Sequence, residues 1–136
     1  MKILALDLGD VHTGTAISDA LGIIAIPYQT IPTKELDNFL KNTIAKENIK
    51  NIIIGYPKTM KGNISAQTQK IIDFKDDYEK KFPNIQWVLW DERLTSKSAE
   101  KYKKGKTKTD KMKLHSIAAA IILGSYLEFL QIRRSE

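Results

Sequence analysis

The most informative segment for the fold of this chain is LALDLGDVHTGTAISD, residues 4–19. It contains two apolar runs separated by a short turn, and the first run ends on a single carboxylate, Asp7. A third apolar run follows after a second short turn. Three short runs with tight connections predict an antiparallel meander of strands at 2–8, 13–18 and 22–28. A carboxylate at the end of a buried strand needs a compensating partner, so Asp7 is the first candidate functional residue.

Beyond the meander, the apolar residues change to helical spacing and then alternate between helices and strands. The predicted helices cover about 36–44 with Thr33 as N-cap, about 65 to 82, a segment opened by Thr95 or Ser96, and about 109 to 132. The predicted strands cover 51–55 and 85–90. Strands first and alternating elements afterwards indicate one α/β domain over residues 1–136, with a mixed sheet and helices on its faces.

The composition excludes several classes of protein. Of the 136 residues, 42% are hydrophobic and 28% are charged, which is typical of a globular chain. The absence of cysteine excludes a disulfide scaffold and thiolate zinc sites, and it fits a reducing cytoplasm. No apolar run reaches the roughly 20 residues of a membrane span, and the first residues do not form a signal peptide. The net charge of +6 predicts a polyanionic partner.

Polar groups occur at three places where the sheet should be dry or just ending. Asp7 is the first, the tripeptide Asp91-Glu92-Arg93 after a buried strand is the second, and His115 at the start of an alanine-rich helix is the third. Carboxylates that converge on one sheet edge repel each other unless a cation lies between them, and Mg²⁺ suits such oxygen ligands. Two ions about 3.5–4 Å apart can hydrolyse a phosphodiester. The alternative is that Asp7 caps a turn and that the tripeptide only marks a strand leaving the core.

Four segments in order make the chain resemble the YqgF (RuvX) family over nearly its whole length. They are DLGDVHTGTAISD at 7–19, IIIGYPKTMKGNIS at 52–65, DERLTSKSAE at 91–100 and HSIAAAIILGSYLE at 115–128. This family is related to the RuvC Holliday-junction resolvases. The resemblance implies a ribonuclease H-like fold, which is a five-stranded mixed sheet with its first three strands antiparallel and helices on both faces. We expect Asp7 on the central strand, beside the strand that ends at Trp90.

The resemblance also implies a metal-dependent nuclease that uses two divalent ions, Mg²⁺ or Mn²⁺. Asp7 is then the first metal ligand, and Glu92 is the preferred second acid. Asp91 is the alternative, because side chains alternate along a strand and only one of the two acids can point at the metals. Arg93 would pair with the other acid or contact a phosphate, and a salt bridge at the strand end is an equal alternative.

Two positions depart from the pattern of the family. His12 stands in the first turn, where the family usually has an arginine, so a phosphate contact there is expected to be weaker. His115 stands where the alanine-rich helix usually begins with an aspartate ligand. An imidazole can bind a divalent metal but lowers the affinity for Mg²⁺, which favours Mn²⁺. Asp110 could substitute only if the preceding segment folds inward. Alternatively, His115 is a structural residue in a weak or inactive enzyme.

A lysine-rich stretch at 97–113 holds eight lysines against two acids and lies between two of the candidate catalytic segments. Lysines at this density can follow a phosphate backbone without reading its sequence. The lysines predicted to contact nucleic acid are Lys103, Lys104, Lys106 and Lys108, together with Lys58 and Lys61 of the segment after the fourth strand. A solvated charged surface is the alternative for the whole stretch.

The resemblance offers two substrates, because a two-metal site hydrolyses either backbone. The first is the precursor of 16S ribosomal RNA, trimmed at its 5′ end during ribosome maturation in the cytoplasm. The second is the four-way DNA junction. The small size of the chain favours RNA and a monomer or weak dimer. A third hypothesis is a protein that binds nucleic acid or the ribosome and has lost its catalytic activity.

Overall fold

The computed structural model describes residues 2–56, 66–91 and 108–134, with the side chains of the last range described from 113 onward. The elements are β1 (Lys2–Asp7), β2 (His12–Ser18), β3 (Ala25–Pro32), a 3₁₀ turn (Thr33–Glu35), α1 (Leu36–Glu47), β4 (Ile49–Tyr56), α2 (Ala66–Lys81), β5 (Gln86–Asp91) and α3 (Lys108–Arg134). The helix predicted to open at Thr95 or Ser96 lies outside the described residues.

The strands form one five-stranded sheet in the order β3-β2-β1-β4-β5. The pairs β1–β2 and β2–β3 are antiparallel, whereas β1–β4 and β4–β5 are parallel. The predicted mixed sheet with an antiparallel meander is therefore confirmed, and Asp7 ends the central strand. The expectation that β1 lies beside the strand ending at Trp90 is wrong, because β4 separates β1 from β5. The uninterrupted apolar run Ile52–Ile54 is buried on both faces of the sheet by the helices packed there, which fits the position of β4 between β1 and β5.

The third strand begins later than predicted, at Ala25–Pro32 rather than at 22–28. Asp19 causes the shift. Its carboxylate accepts hydrogen bonds from the backbone N–H groups of Ile23 (2.7 Å) and Ile24 (2.9 Å). The turn therefore continues through the first residues of the apolar run before the chain can pair with β2.

The start of α1 also differs from the prediction. Thr33 is not its N-cap, because a 3₁₀ turn precedes the helix and Glu35 occupies the cap position without a side-chain hydrogen bond. The hydroxyl of Thr33 instead donates to the carbonyl oxygen of Gly9 (2.7 Å), and its N–H donates to the carbonyl oxygen of Val11 (2.9 Å). Thr33 thus fixes the loop between β1 and β2.

The two faces of the sheet carry cores of different composition. Helices α1 and α2 cover one face, where the core consists mainly of leucine, isoleucine and aromatic side chains. Helix α3 covers the other face, where alanines from β1, β2 and α3 fill much of the core. The indole N–H of Trp90 donates to the hydroxyl of Ser125 (2.7 Å), which ties the edge strand β5 to α3. Small side chains let α3 approach the sheet closely.

Among the described residues, one segment is long and apolar enough to cross a membrane by length and composition. It is Lys113–Arg134, which is part of α3. Its side chains Ala119, Leu123 and Leu127 are almost completely buried against the sheet. A core helix that packs on a sheet accounts for this apolar composition.

Candidate active site

The alternation of side chains along β1 places Asp7 on the face of the sheet covered by α3. Ile3 and Ala5 belong to the core on the α3 side, whereas Leu4 and Leu6 belong to the opposite core. Asp7 follows Ile3 and Ala5 in this alternation, so its side chain lies on the α3 side. It ends the strand, is half-buried and lies opposite Gly14 of β2.

Gly14 is the position that brings α3 to Asp7. A Cβ atom at Gly14 would overlap the backbone carbonyl of His115 and would lie 2.8 Å from the backbone nitrogen of Ser116. Every side chain larger than hydrogen would therefore push α3 away from β2. Because Gly14 is the register partner of Asp7, this contact fixes the start of the described part of α3 beside the carboxylate.

Asp7 and His115 lie close enough to interact electrostatically. Burial raises the pKa of Asp7 above its ordinary value, and the nearby His115 partly offsets this by lowering the pKa. A desolvated carboxylate at the end of a central strand is a common feature of functional sites. The ionised form of Asp7 is therefore destabilised, and a bound cation would stabilise it.

His12 completes the described group. It lies two positions before Gly14 on β2, on the α3 side of the sheet, and its ring centroid is 5.8 Å from that of His115 at an angle of 32° between the ring planes. Asp7, His12 and His115 therefore lie together at one edge of the sheet. The sequence alone predicts only a phosphate contact at the position of His12, although its even spacing from Gly14 is a signal for the shared face.

Asp91 lies at the same sheet edge but on the other face. It ends β5 and is in register with Tyr56 of β4. Trp90 belongs to the core on the α3 side and Leu89 packs against the opposite core, so the alternation turns Asp91 away from the side of Asp7. The role of Asp91 as a metal ligand stays a prediction.

The other predicted site residues fall outside the part of the chain that the structure describes. They are Glu92, Arg93, Lys58, Lys61, Lys103, Lys104 and Lys106, and the side chain of Lys108, which is the first residue of α3. Their roles stay predictions. Lys113, two positions before His115, is exposed.

The donor set of the described residues fits a divalent cation only in part. Within 2–56, 66–91 and the described side chains of α3, no group of three or more His, Cys, Asp or Glu is placed to hold a metal ion. Asp7 offers carboxylate oxygens and His115 an imidazole nitrogen, a combination that suits Mn²⁺ better than Mg²⁺. A complete site needs a further ligand from the chain or from water.

Comparison with known proteins gives consistent matches along the chain. The model of a family described as RuvX, Holliday junction resolvase, matches residues 1–129. A protein of Rubrobacter xylanophilus named as a candidate pre-16S rRNA nuclease is 33% identical over 128 residues, which cover 93% of this chain and 92% of that protein. A protein of Phocaeicola vulgatus with the same name is 39% identical over 132 residues, with 93% and 95% covered.

Solved structures agree on the fold. RuvC of T. thermophilus in complex with a Holliday junction substrate superimposes with a TM-score of 0.67 over 98% of this chain and 96% of that chain. A second structure of Thermus thermophilus RuvC gives a TM-score of 0.61. Both are 9% identical in sequence, so the likeness concerns the fold, and the predicted ribonuclease H-like architecture is confirmed.

Proposed function

The chain belongs to the RuvX family, and from this membership together with the site at Asp7 we propose that it is a metal-dependent nuclease that processes the 5′ end of precursor 16S ribosomal RNA. The names of the curated relatives support the choice of substrate. Because ribosome maturation takes place in the cytoplasm, we propose that the activity is cytoplasmic. We also propose that residues 1–136 act as one domain, as a monomer or weak dimer.

The observation that carries the proposal is the half-buried carboxylate of Asp7 beside His115. A carboxylate whose pKa is raised by burial destabilises the fold when it is ionised, unless a cation compensates its charge. Asp7 would hold a divalent ion through a carboxylate oxygen, and His115 would hold it through a ring nitrogen. When bound, such ions supply an activated water and stabilise the leaving oxygen of a phosphodiester.

Glu92 is our choice for the further acid. Asp91 follows Trp90, whose side chain lies in the core on the α3 side, so Asp91 belongs to the opposite face. Because side chains alternate along a strand, only one of the two acids can point at the metals, and we propose that it is Glu92. Arg93 and the lysines at 58, 61, 103, 104, 106 and 108 are proposed to contact the phosphate backbone of the substrate.

The test compares Asp7→Asn with Asp76→Asn in cleavage of an RNA that spans the 5′ precursor of 16S ribosomal RNA, with Mn²⁺ or Mg²⁺ added. Asp7→Asn keeps the shape of the side chain but removes its charge, so cleavage should fall by about 100-fold or more. Asp76 is an exposed residue of α2, and its variant should cleave at the wild-type rate. Equal rates for Asp7→Asn and the wild type would refute the site.

A second candidate function is the resolution of four-way DNA junctions. The description of the matching family and the fold shared with RuvC favour it. The same three proteins should therefore be assayed on a four-way junction. If the junction is cleaved faster than the RNA, the four-way junction is the substrate and the RNA proposal is refuted. If the protein binds nucleic acid independently of Asp7 but cleaves neither substrate, it is a non-catalytic relative.

A further inference from the structure

A cleft lies at the same sheet edge as Asp7 but on the face covered by α1 and α2. Its floor consists of apolar side chains, Leu8, Ile71 and Phe74, and polar groups of Asp10, Gln67 and Lys70 line it as well. Leu8 directly follows Asp7 in the chain, and it packs against the core opposite to α3. The cleft is therefore next to the candidate active site without sharing a residue with it.

The walls of the cleft are held in place by contacts of their own. Thr33 binds the backbone of Gly9 and Val11, which fixes the loop that forms one wall. On the floor of the cleft, the ring of Phe74 stacks on Tyr78 with a distance of 3.9 Å between ring centroids. A binding site that is already formed loses little conformational entropy when a ligand enters.

The volume of the cleft, about 120 Å³, suits one flat ring. A closed apolar cavity of about 150 Å³ accommodates benzene in another protein. This open cleft is slightly smaller, so a six-membered ring would fill it with part of its edge at the mouth, whereas a fused two-ring system would leave most of its second ring outside. An apolar floor with an aromatic side chain and a nearby amide is the combination that binds a nucleobase by stacking and by hydrogen bonds to its edge.

The ammonium group of Lys70 supplies the second part of a nucleotide site at this cleft. The Nζ of Lys70 lies 3.7 Å from Oδ1 of Asp10, and both side chains are largely exposed. An exposed ion pair of this kind is weak, so a phosphate can displace the carboxylate from the ammonium group. Lys70 can thus bind the phosphate of a nucleotide whose base occupies the cleft.

The geometry points to a binding site for a pyrimidine nucleotide in this cleft, which takes up a base of the substrate strand near the phosphate at Asp7. This inference rests on the proposed function, because the occupant is part of the nuclease substrate. A strand that crosses the sheet edge would present one phosphate to the α3 side and a neighbouring base to the cleft on the other side. The site would give the enzyme a preference for a pyrimidine close to the point of cleavage.

The first experiment measures the binding of uridine 5′-monophosphate to the intact protein by NMR of methyl groups. We expect shifts at Leu8 and Ile71, whereas ribose 5-phosphate at the same concentration leaves these methyl groups unchanged. Adenosine 5′-monophosphate should bind at least fivefold more weakly. Equal shifts with ribose 5-phosphate, equal affinity for the adenosine nucleotide, or no shift at these two residues would each overturn the inference.

The second experiment uses a matched pair of variants on α2. Lys70→Glu should weaken uridine 5′-monophosphate binding at least fivefold, because it places a negative charge next to the phosphate. Lys80→Glu makes the same change of charge at the other end of the same helix and should leave the affinity unchanged. Equal affinities of both variants and the wild type would exclude Lys70 from the site and overturn the inference.

Asp7→Asn separates this inference from the proposed function. It should abolish RNA cleavage but leave uridine 5′-monophosphate binding intact, since Asp7 lies on the other face of the sheet. Asp7-dependent cleavage without nucleotide binding in the cleft would refute only the pyrimidine site. Nucleotide binding in the cleft by a protein that cleaves no RNA would refute only the nuclease.

Discussion

Asp7 and Asp19 are the first and last residues of the segment 7–19, and their environments shift the pKa values of their carboxyl groups in opposite directions. Asp7 ends β1 at one edge of the sheet, where burial raises the pKa of its carboxyl group. Asp19 follows β2 at the other edge, where hydrogen bonds from the backbone of Ile24 and Ile23 lower the pKa of its exposed carboxyl group. The charged form of Asp19 is therefore stabilised by the fold, whereas the charged form of Asp7 is destabilised.

The contrast separates a structural carboxylate from a candidate functional one. The charge of Asp19 forms part of the turn that sets the start of β3. The charge of Asp7 has His115 as a partial partner and otherwise opposes folding. Functional sites often contain ionisable residues whose charged form is destabilised by the fold. Asp7, at the close-packed end of β1, is such a residue.

The largest effect is expected from a substitution that moves α3 away from Asp7. Gly14→Ala places a methyl group on the backbone of His115, so we expect a loss of about 3 kcal/mol or more in the free energy of unfolding, measured by urea denaturation. Gly124→Ala is the control on α3, because its added Cβ would meet only the side chain of Ala25 at 3.9 Å. A loss below about 1 kcal/mol for Gly14→Ala would show that α3 does not depend on this contact.

A smaller effect is expected on the metal preference when His115 is replaced. His115→Asp replaces an imidazole by a hard oxygen ligand, so the ratio of Mn²⁺-supported to Mg²⁺-supported cleavage should fall by about tenfold. His12→Gln is the control, since it changes the neighbouring imidazole but leaves the proposed ligand. If His115→Ala cleaves as well as the wild type with either ion, His115 is a structural residue.

The smallest effects are expected in the pH dependence of stability without divalent ions. The pKa of Asp19 is lowered in the fold, so its contribution is present above the ordinary value of 3.8 and is lost as the pH falls through the lowered pKa. Asp19→Asn should therefore melt at a lower temperature than the wild type at pH 7, with the difference shrinking below pH 3.8.

Asp7→Asn should show the opposite sign. The pKa of Asp7 is raised in the fold, so the wild type loses stability as the pH rises from 3.8 through the raised pKa. The variant should then melt above the wild type at pH 7 and converge with it in acid. Thermal melts of both variants between pH 3 and 7 provide the measurement, and shifts of the same sign would contradict the contrast.

The sequence alone predicts the order of elements, because apolar periodicity and turn residues report burial directly, and the resemblance of four segments in order indicates the family. It does not predict where β3 begins, because the hydrogen bonds of Asp19 convert apolar residues into a turn. It also does not predict that β4 separates β1 from β5, since pairing between distant strands leaves little trace in local composition. Asp7 could be identified as a charge in an apolar run, and His115 as a departure from a family pattern.

The role of Gly14 and the closeness of His12 to His115 could not be found in the same way. Both depend on how near α3 comes to β2, which is a property of packing between distant segments. The cleft at Leu8 and Phe74 likewise joins two segments that no motif connects. Glu92 and Arg93 stay predictions from the resemblance.

The contact between Gly14 and His115 also determines when the site exists. His115 follows Gly14 by 101 positions, so the two backbones meet only after most of the chain has been synthesised. Contacts over such a separation require the closure of a long loop, which costs entropy and slows their formation. A nascent chain on the ribosome therefore carries Asp7 without its partner, and the protein acquires its candidate active site only when α3 docks.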